Sequence, residues 1–221
     1  VMQPGSAFIS SATMAPAEAR RLAAGLAQRG IHYLDAPISG GAAKAARGEL
    51  TVMASGSPAA FEKTQRVLDA IAAKVYRLGD EPGIGASMKM INQHLAGIHI
   101  AAAAEAIALA SKLGLDLAKV HEVITASAGN SWMFENRVPH ILAGDYTPLS
   151  SVEIFVKDLG ILQDMARAER YPAPLAAAAL QMYLATSGAG MGRDDDSSVA
   201  RTYAMLSGAT LPPVTATASK S

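Results

Sequence analysis

The sequence predicts the C-terminal part of an α/β layer followed by an all-helical domain built on one long helix. Three observations carry this. Short apolar, β-prone runs alternate with amphipathic helical ones over residues 7–79. A hinge of glycine and proline, "GDEPGIG", then covers residues 79–85. Beyond it the periodic segments have helical spacing only.

The elements follow in order. "AFISS", from Ala7, reads as a strand. "APAEARRLAAGLAQRG" reads as a helix, with Pro16 near its start, where a missing N–H costs nothing, and Gly30 as its stop. "IHYLDA" is a second strand, and the glycine-rich "PISGG" a turn. "ELTVMASG" is a third strand, "SPAAFEKTQRVLDAIA" a helix opened by a Ser–Pro cap, and "KVYRLG" a fourth strand. Four strands, two of them flanking a turn rather than a helix, leave a sheet edge exposed, so further sheet residues are expected upstream of Val1.

Residues 84–113 read as a single helix, about 45 Å long at about 1.5 Å per residue. Its nearly continuous apolar surface implies burial. Shorter helices are expected at 116–128, 132–143, 151–170, 173–188 and 195–207, then a loosely packed tail. The domains expected are 1–82, 83–209 and a tail over 210–221.

Composition narrows the function. Half of the 221 residues are apolar, and 19 basic residues balance 19 acidic ones. A neutral chain has no electrostatic footprint for nucleic acid or an anionic membrane, yet a small basic pocket for an anionic metabolite remains open to it. No cysteine is present, which excludes disulfides and thiolate metal sites and fits a reducing cytoplasm. His32, His94, His99, His121 and His140 follow no metal-binding spacing, so no metal is expected. "VMQPGSAFISSATM" is not built like a signal peptide, and "HIAAAAEAIALA" is too alanine-rich and polar to span a bilayer.

Four groups of residues carry possible chemistry. Lys89 stands on the first turns of the long helix among apolar and small neighbours, with Asn92 and Gln93 three and four positions on. It is either a lysine whose stem covers apolar surface while its charge reaches water, or a functional cation in a cleft beside the hinge. Ser39, Gly40 and Gly41 offer a hydroxyl and unencumbered N–H groups after a strand, either an anion-binding nest or an ordinary turn. Lys157 and Asp158 share a helix face, and a solvated ion pair explains them equally well. Trp132 and Phe134 are core, or wall off a pocket.

Taken together, "DAPISGG", "ARGELTVMASG", "GIGASMKMINQ", "EAIALASKLGLD" and "FVKDLGI" resemble the β-hydroxyacid dehydrogenase family, which includes 3-hydroxyisobutyrate dehydrogenase and tartronate semialdehyde reductase. The resemblance runs to about residue 200 and is strongest to a branch acting on four-carbon sugar acids. It implies a Rossmann-type domain before the hinge and hydride transfer to NAD, with NADP not excluded. L-threonate, oxidised at C2 to 2-oxo-tetronate, is the substrate it implies, ahead of 3-hydroxyisobutyrate or the glycerate/tartronate semialdehyde pair.

By the same resemblance Lys89 is the catalytic lysine, and Ser39, Gly40 and Gly41 bind the substrate carboxylate. Asn92 and Gln93 meet substrate hydroxyls, and Thr13 and Lys157 lie against the cofactor. Two positions depart from the family: Ala12 replaces a usual serine, and Gln93 a usual asparagine. No GxGxxG loop follows a strand here, and a unit of that kind, roughly 70–90 residues long as the first half of a dinucleotide fold, is expected upstream. A homodimer or homotetramer is expected. The other class of function compatible with the chain is a catalytically inactive helical dimerisation module.

Overall fold

The computed structural model describes residues 2–215, which divide after Asn92 into two compact units. The first holds β1 (Ala7–Ser10), α1 (Pro16–Ala27), β2 (His32–Asp35), β3 (Ile38–Ser39), α2 (Gly41–Ala46), β4 (Leu50–Ser55), α3 (Pro58–Ile71) and β5 (Ala72–Gly79). It also contains the start of α4 (Ile84–Lys112). The sheet is mixed: β1 runs parallel to β2, β4 parallel to β5, and β2 and β3 antiparallel to β4.

Two elements were not legible in the sequence. The expected turn "PISGG" contains strand β3 and opens α2. Asp35 pairs with Ser55, Ile38 with Val52 and Ser39 with Thr51, and the Pro37 carbonyl accepts the Met53 N–H at 2.9 Å. Each step along β2–β3 is thus one step back along β4, so the two form one long hairpin with α2 in its loop. A two-residue strand has no periodicity of its own; pairing with β4 creates it.

Leu34, Val52, Ala54, Phe61 and Leu68 form the main core of this unit, and Ala19, Tyr33 and Ala86 a second cluster. Helix α3 explains itself locally. Ser57 Oγ accepts the Ala60 N–H at 3.3 Å, Pro58 occupies the first turn, and Phe61, Thr64 and Leu68 recur on its buried face.

The second unit carries the rest of α4, then α5 (Leu117–Thr125), α6 (Trp132–Ala143), α7 (Val152–Ala168), α8 (Pro174–Thr186) and α9 (Val199–Ser207). Asp116 caps α5 and Ser131 caps α6, while Gly144, in the left-handed region at φ 65°, ends α6. Gly97 lets α4 and α7 approach: a Cβ there would stand 3.0 Å from Phe155 and 3.1 Å from Leu159. Phe155 stacks on Tyr183, whose hydroxyl donates to the Gly97 carbonyl at 3.0 Å. A buried ion pair, Arg137 to Asp196 at 2.6 Å, ties α6 to the turn before α9.

Three expectations change. By length and mean hydropathy, 1.4 over its most apolar stretch, α4 is apolar enough to cross a membrane, contrary to the sequence reading. Alanine counts as apolar on such a scale, and half of that stretch is buried inside the protein, as in a core helix. Nor is α4 apolar and covered all round: Met88, Ile91, Leu95 and Leu109 are exposed. The tail is anchored as far as Thr215, whose hydroxyl donates to the Ala143 carbonyl at 2.7 Å and whose N–H donates to Gly144 at 3.0 Å. Residues 216–221 of that expected tail lie outside the described residues.

Candidate functional site

In the first unit, the expected site residues gather where the parallel strands end. Ser10 and Asp35, the last residues of β1 and β2, are register partners, so both strands leave the sheet at the same edge. The chain after β1 leads to half-buried Thr13, and the chain after β2 leads to Ser39, Gly40 and Gly41. Open α/β sheets bind ligands outside the carboxyl ends of their strands, and these two loops occupy that position.

The Ser39–Gly41 turn is built, not incidental. Gly40 and Gly41 have φ of 131° and 66°, where side chains are strained, and a Cβ on Gly40 would meet Lys44 at 2.9 Å. Ser39 is held through β3 to Thr51 of β4.

Helix α4 begins at the same sheet edge. The Asp35 carboxylate accepts the N–H groups of Gly83 at 2.9 Å and Ala86 at 2.8 Å, and Ser55 Oγ accepts that of Gly85 at 2.9 Å. Burial holds the Asp35 carboxyl above its ordinary range, against the pull of those N–H bonds. Lys89 follows within a turn and is only 8 % exposed. That burial disfavours the reading of a surface lysine spreading its charge into water. Asn92 lies one turn on and is half-buried.

In the second unit, Gln93 and Lys157 are joined through Asp158. The Gln93 amide nitrogen donates to Asp158 Oδ2 at 2.6 Å, and Lys157 Nζ lies 2.5 Å from Oδ1. Lys157 is half exposed but Asp158 is 1 % exposed, so the pair is not the fully solvated one that the helix face suggested. Phe134 is core, stacked with His121 at 5.9 Å, whereas Trp132 is 57 % exposed. Among the described residues no three His, Asp or Glu side chains are grouped to hold a metal ion. An open groove of about 520 Å³ in the first unit, lined by Arg20, His32, Tyr33, Ser57 and Asp80, contains none of the expected site residues.

The sequence reading missed Asp35, Ser55 and the linking role of Asp158. Asp35 in "DAPISGG" and Ser55 in "ARGELTVMASG" both stood near the end of a predicted strand, which was the available signal for each.

Comparison with known proteins adds the following. Residues 83–203 match the family model described as the NAD-binding domain of NADP-dependent 3-hydroxyisobutyrate dehydrogenase. Residues 1–79 match the NAD-binding domain of 6-phosphogluconate dehydrogenase. L-threonate dehydrogenase of Escherichia coli K12 is 54 % identical over 96 % of this chain and 69 % of its own length. The L-threonate dehydrogenase of Cupriavidus necator is 58 % identical over 91 % and 68 %. Among solved structures, 3-hydroxyisobutyrate dehydrogenase from Salmonella typhimurium superposes with a TM-score of 0.87 at 56 % identity, over 91 % of this chain and 70 % of that one. The Mycobacterium tuberculosis 3-hydroxyisobutyrate dehydrogenase with L-serine gives 0.81 at 32 % identity, over 90 % and 70 %.

Proposed function

The chain belongs to the 3-hydroxyisobutyrate dehydrogenase family of NAD(P)-dependent hydroxy-acid dehydrogenases, and from that membership we propose that it oxidises L-threonate at C2 to 2-oxo-tetronate with NAD. The single observation that carries the chemistry is Lys89, almost fully buried one turn from the sheet edge where the loops of Thr13 and Ser39 emerge. The substrate is supported by relatives named for L-threonate at 54 % and 58 % identity.

The cofactor, when bound, accepts hydride from the carbinol carbon; the rest is done by side chains of this chain. Lys89 Nζ, in its neutral form, takes the hydroxyl proton during oxidation. In the reverse direction its ammonium returns that proton and stabilises charge growing on the carbonyl oxygen. Ser39 and the Gly40–Gly41 amides anchor the substrate carboxylate. Asp158 holds Gln93 by its amide nitrogen, and Gln93 and Asn92 are the amides that would orient a substrate hydroxyl. Thr13 and Lys157 are the residues that would hold the cofactor. We expect domains of 1–82 and 83–209. We also expect a homodimer or homotetramer, an assembly supported by the exposed Met88–Ile91–Leu95 stripe at helical spacing on α4.

The test is NADH formation with L-threonate, compared with 3-hydroxyisobutyrate and glycerate, for the wild-type protein and Lys89→Ala. L-threonate turnover that falls about a hundredfold or more in the variant is expected, as for a lost general base. Wild-type turnover in Lys89→Ala removes the lysine from the chemistry. Preference for 3-hydroxyisobutyrate, the acid named in the Salmonella relative, keeps the chemistry and replaces the substrate.

A further inference from the structure

Helix α4 has no cap of its own. The residue before it is Gly83, which has no side chain to accept an N–H, although a helix start leaves its first N–H groups without intrahelical partners. Those of Gly83, Gly85 and Ala86 are instead taken by Asp35 and Ser55, side chains 30 to 51 residues away in sequence.

Asp35 and Ser55 are the last residues of β2 and β4, register partners, and both 0 % exposed. The contact leaves no slack. A Cβ on Gly85 would stand 2.5 Å from the Met53 carbonyl and 2.9 Å from that of Asp35, both strand backbone. A local cap fixes a helix only to the residue before it; a cap supplied by two strands fixes its height and rotation against the sheet. Lys89 is three residues beyond Ala86, about 4.5 Å along the axis. Ser39 hangs on β4 through Thr51, four residues before Ser55.

We propose that Asp35 and Ser55 are positioning residues for Lys89: together they clamp the first turn of α4 onto the strand ends and so set the lysine amine against the Ser39–Gly41 turn. This rests on the reading of Lys89 as the proton-transfer group. A cap that merely stabilised the fold would leave the lysine's behaviour untouched once the protein is folded.

The experiment compares Asp35→Ala, Asp35→Asn, Ser55→Ala and Lys89→Ala. It measures kcat and KM for L-threonate, and the Lys89 Cε resonance in lysine-labelled protein without cofactor. Asp35→Ala should lower kcat by about 10- to 100-fold, the cost of a misplacement on the ångström scale, while KM changes by less than about threefold. Asp35→Asn keeps an oxygen that accepts both N–H groups, and should hold kcat within about threefold of wild type. The Lys89 resonance should move in Asp35→Ala much further than in Asp35→Asn. Where Asp35→Ala does not fold, Ser55→Ala is read in its place, with kcat lowered about three- to tenfold.

The clamp is overturned by a wild-type kcat and an unmoved Lys89 resonance in folded Asp35→Ala, or in Ser55→Ala where it stands in. Equal losses in Asp35→Ala and Asp35→Asn overturn it too. If Lys89→Ala keeps full turnover, the reading of the lysine fails first. If Lys89→Ala is inactive and folded Asp35→Ala is not impaired, only the clamp fails.

Discussion

Asp35 in the α/β unit and Asp196 in the helical unit are both fully buried carboxylates, yet they are kept there by opposite means. Asp35 is held by neutral partners, the N–H groups at the start of α4, whose aligned dipoles favour a negative charge. Asp196 is held by a full positive charge, Arg137 donating from Nε at 2.6 Å and from Nη2 at 3.3 Å. Burial raises both carboxyls above their ordinary range, Asp196 to about 6 even though Arg137 pulls it down. The lesson concerns what is left when one partner is removed. Truncating Asp35 leaves N–H groups without acceptors, whereas truncating Arg137 leaves a bare charge in the core.

The largest effect should therefore come from Arg137→Met. Removing one member of a buried ion pair costs about 3–5 kcal/mol, so the urea midpoint at neutral pH should fall accordingly. A loss under about 1 kcal/mol would mean that the two carboxylates do not differ in this way.

Next in size is a pH dependence. With its carboxyl raised from 3.8 to about 6, Asp196 binds a proton more tightly in the folded chain than in the unfolded one. Stability should fall as pH rises from about 4 to about 6, by roughly 3 kcal/mol from this group, and level off above. Asp35, also raised, adds in the same direction. Arg137→Met removes the charge that lowers the Asp196 carboxyl, so its decline should continue beyond pH 6. Urea titrations across this range check both; a stability that rises from pH 4 to 6 contradicts the assignment.

The smallest change should be Asp35→Ala, about 1–2 kcal/mol, as for loss of a helix cap, partly offset because a desolvated charge leaves with it. If it matches Arg137→Met, neutral and charged partners are equivalent in this protein.

Legibility in the sequence followed the range of the interaction. Helix α6 was read at 132–143, where Ser131 caps it locally, and the start of α4 at 84, where the glycine–proline hinge ends, because such signals act over a few residues. Strand β3 was not legible, since its order comes from β4 across a loop. Of the site, Lys89, Ser39 and the glycines stood out as unusual chemistry in a simple context. The clamp on α4 did not, because a strand-end aspartate and serine look the same whether or not a helix starts against them. Lys157 and Asp158 read as a solvated pair because helical spacing gives the face, not the depth to which Asp158 is buried.

By itself, then, the sequence determined the order of elements other than β3 and α2, most helix ends, and which residue types stood at the candidate site, all through contacts a few residues apart. Only the tertiary structure decided which carboxylates lose their water and what replaces it. Desolvation depends on atoms brought in from far along the chain: Gly83 comes to Asp35 across 48 residues, and Asp196 to Arg137 across 59.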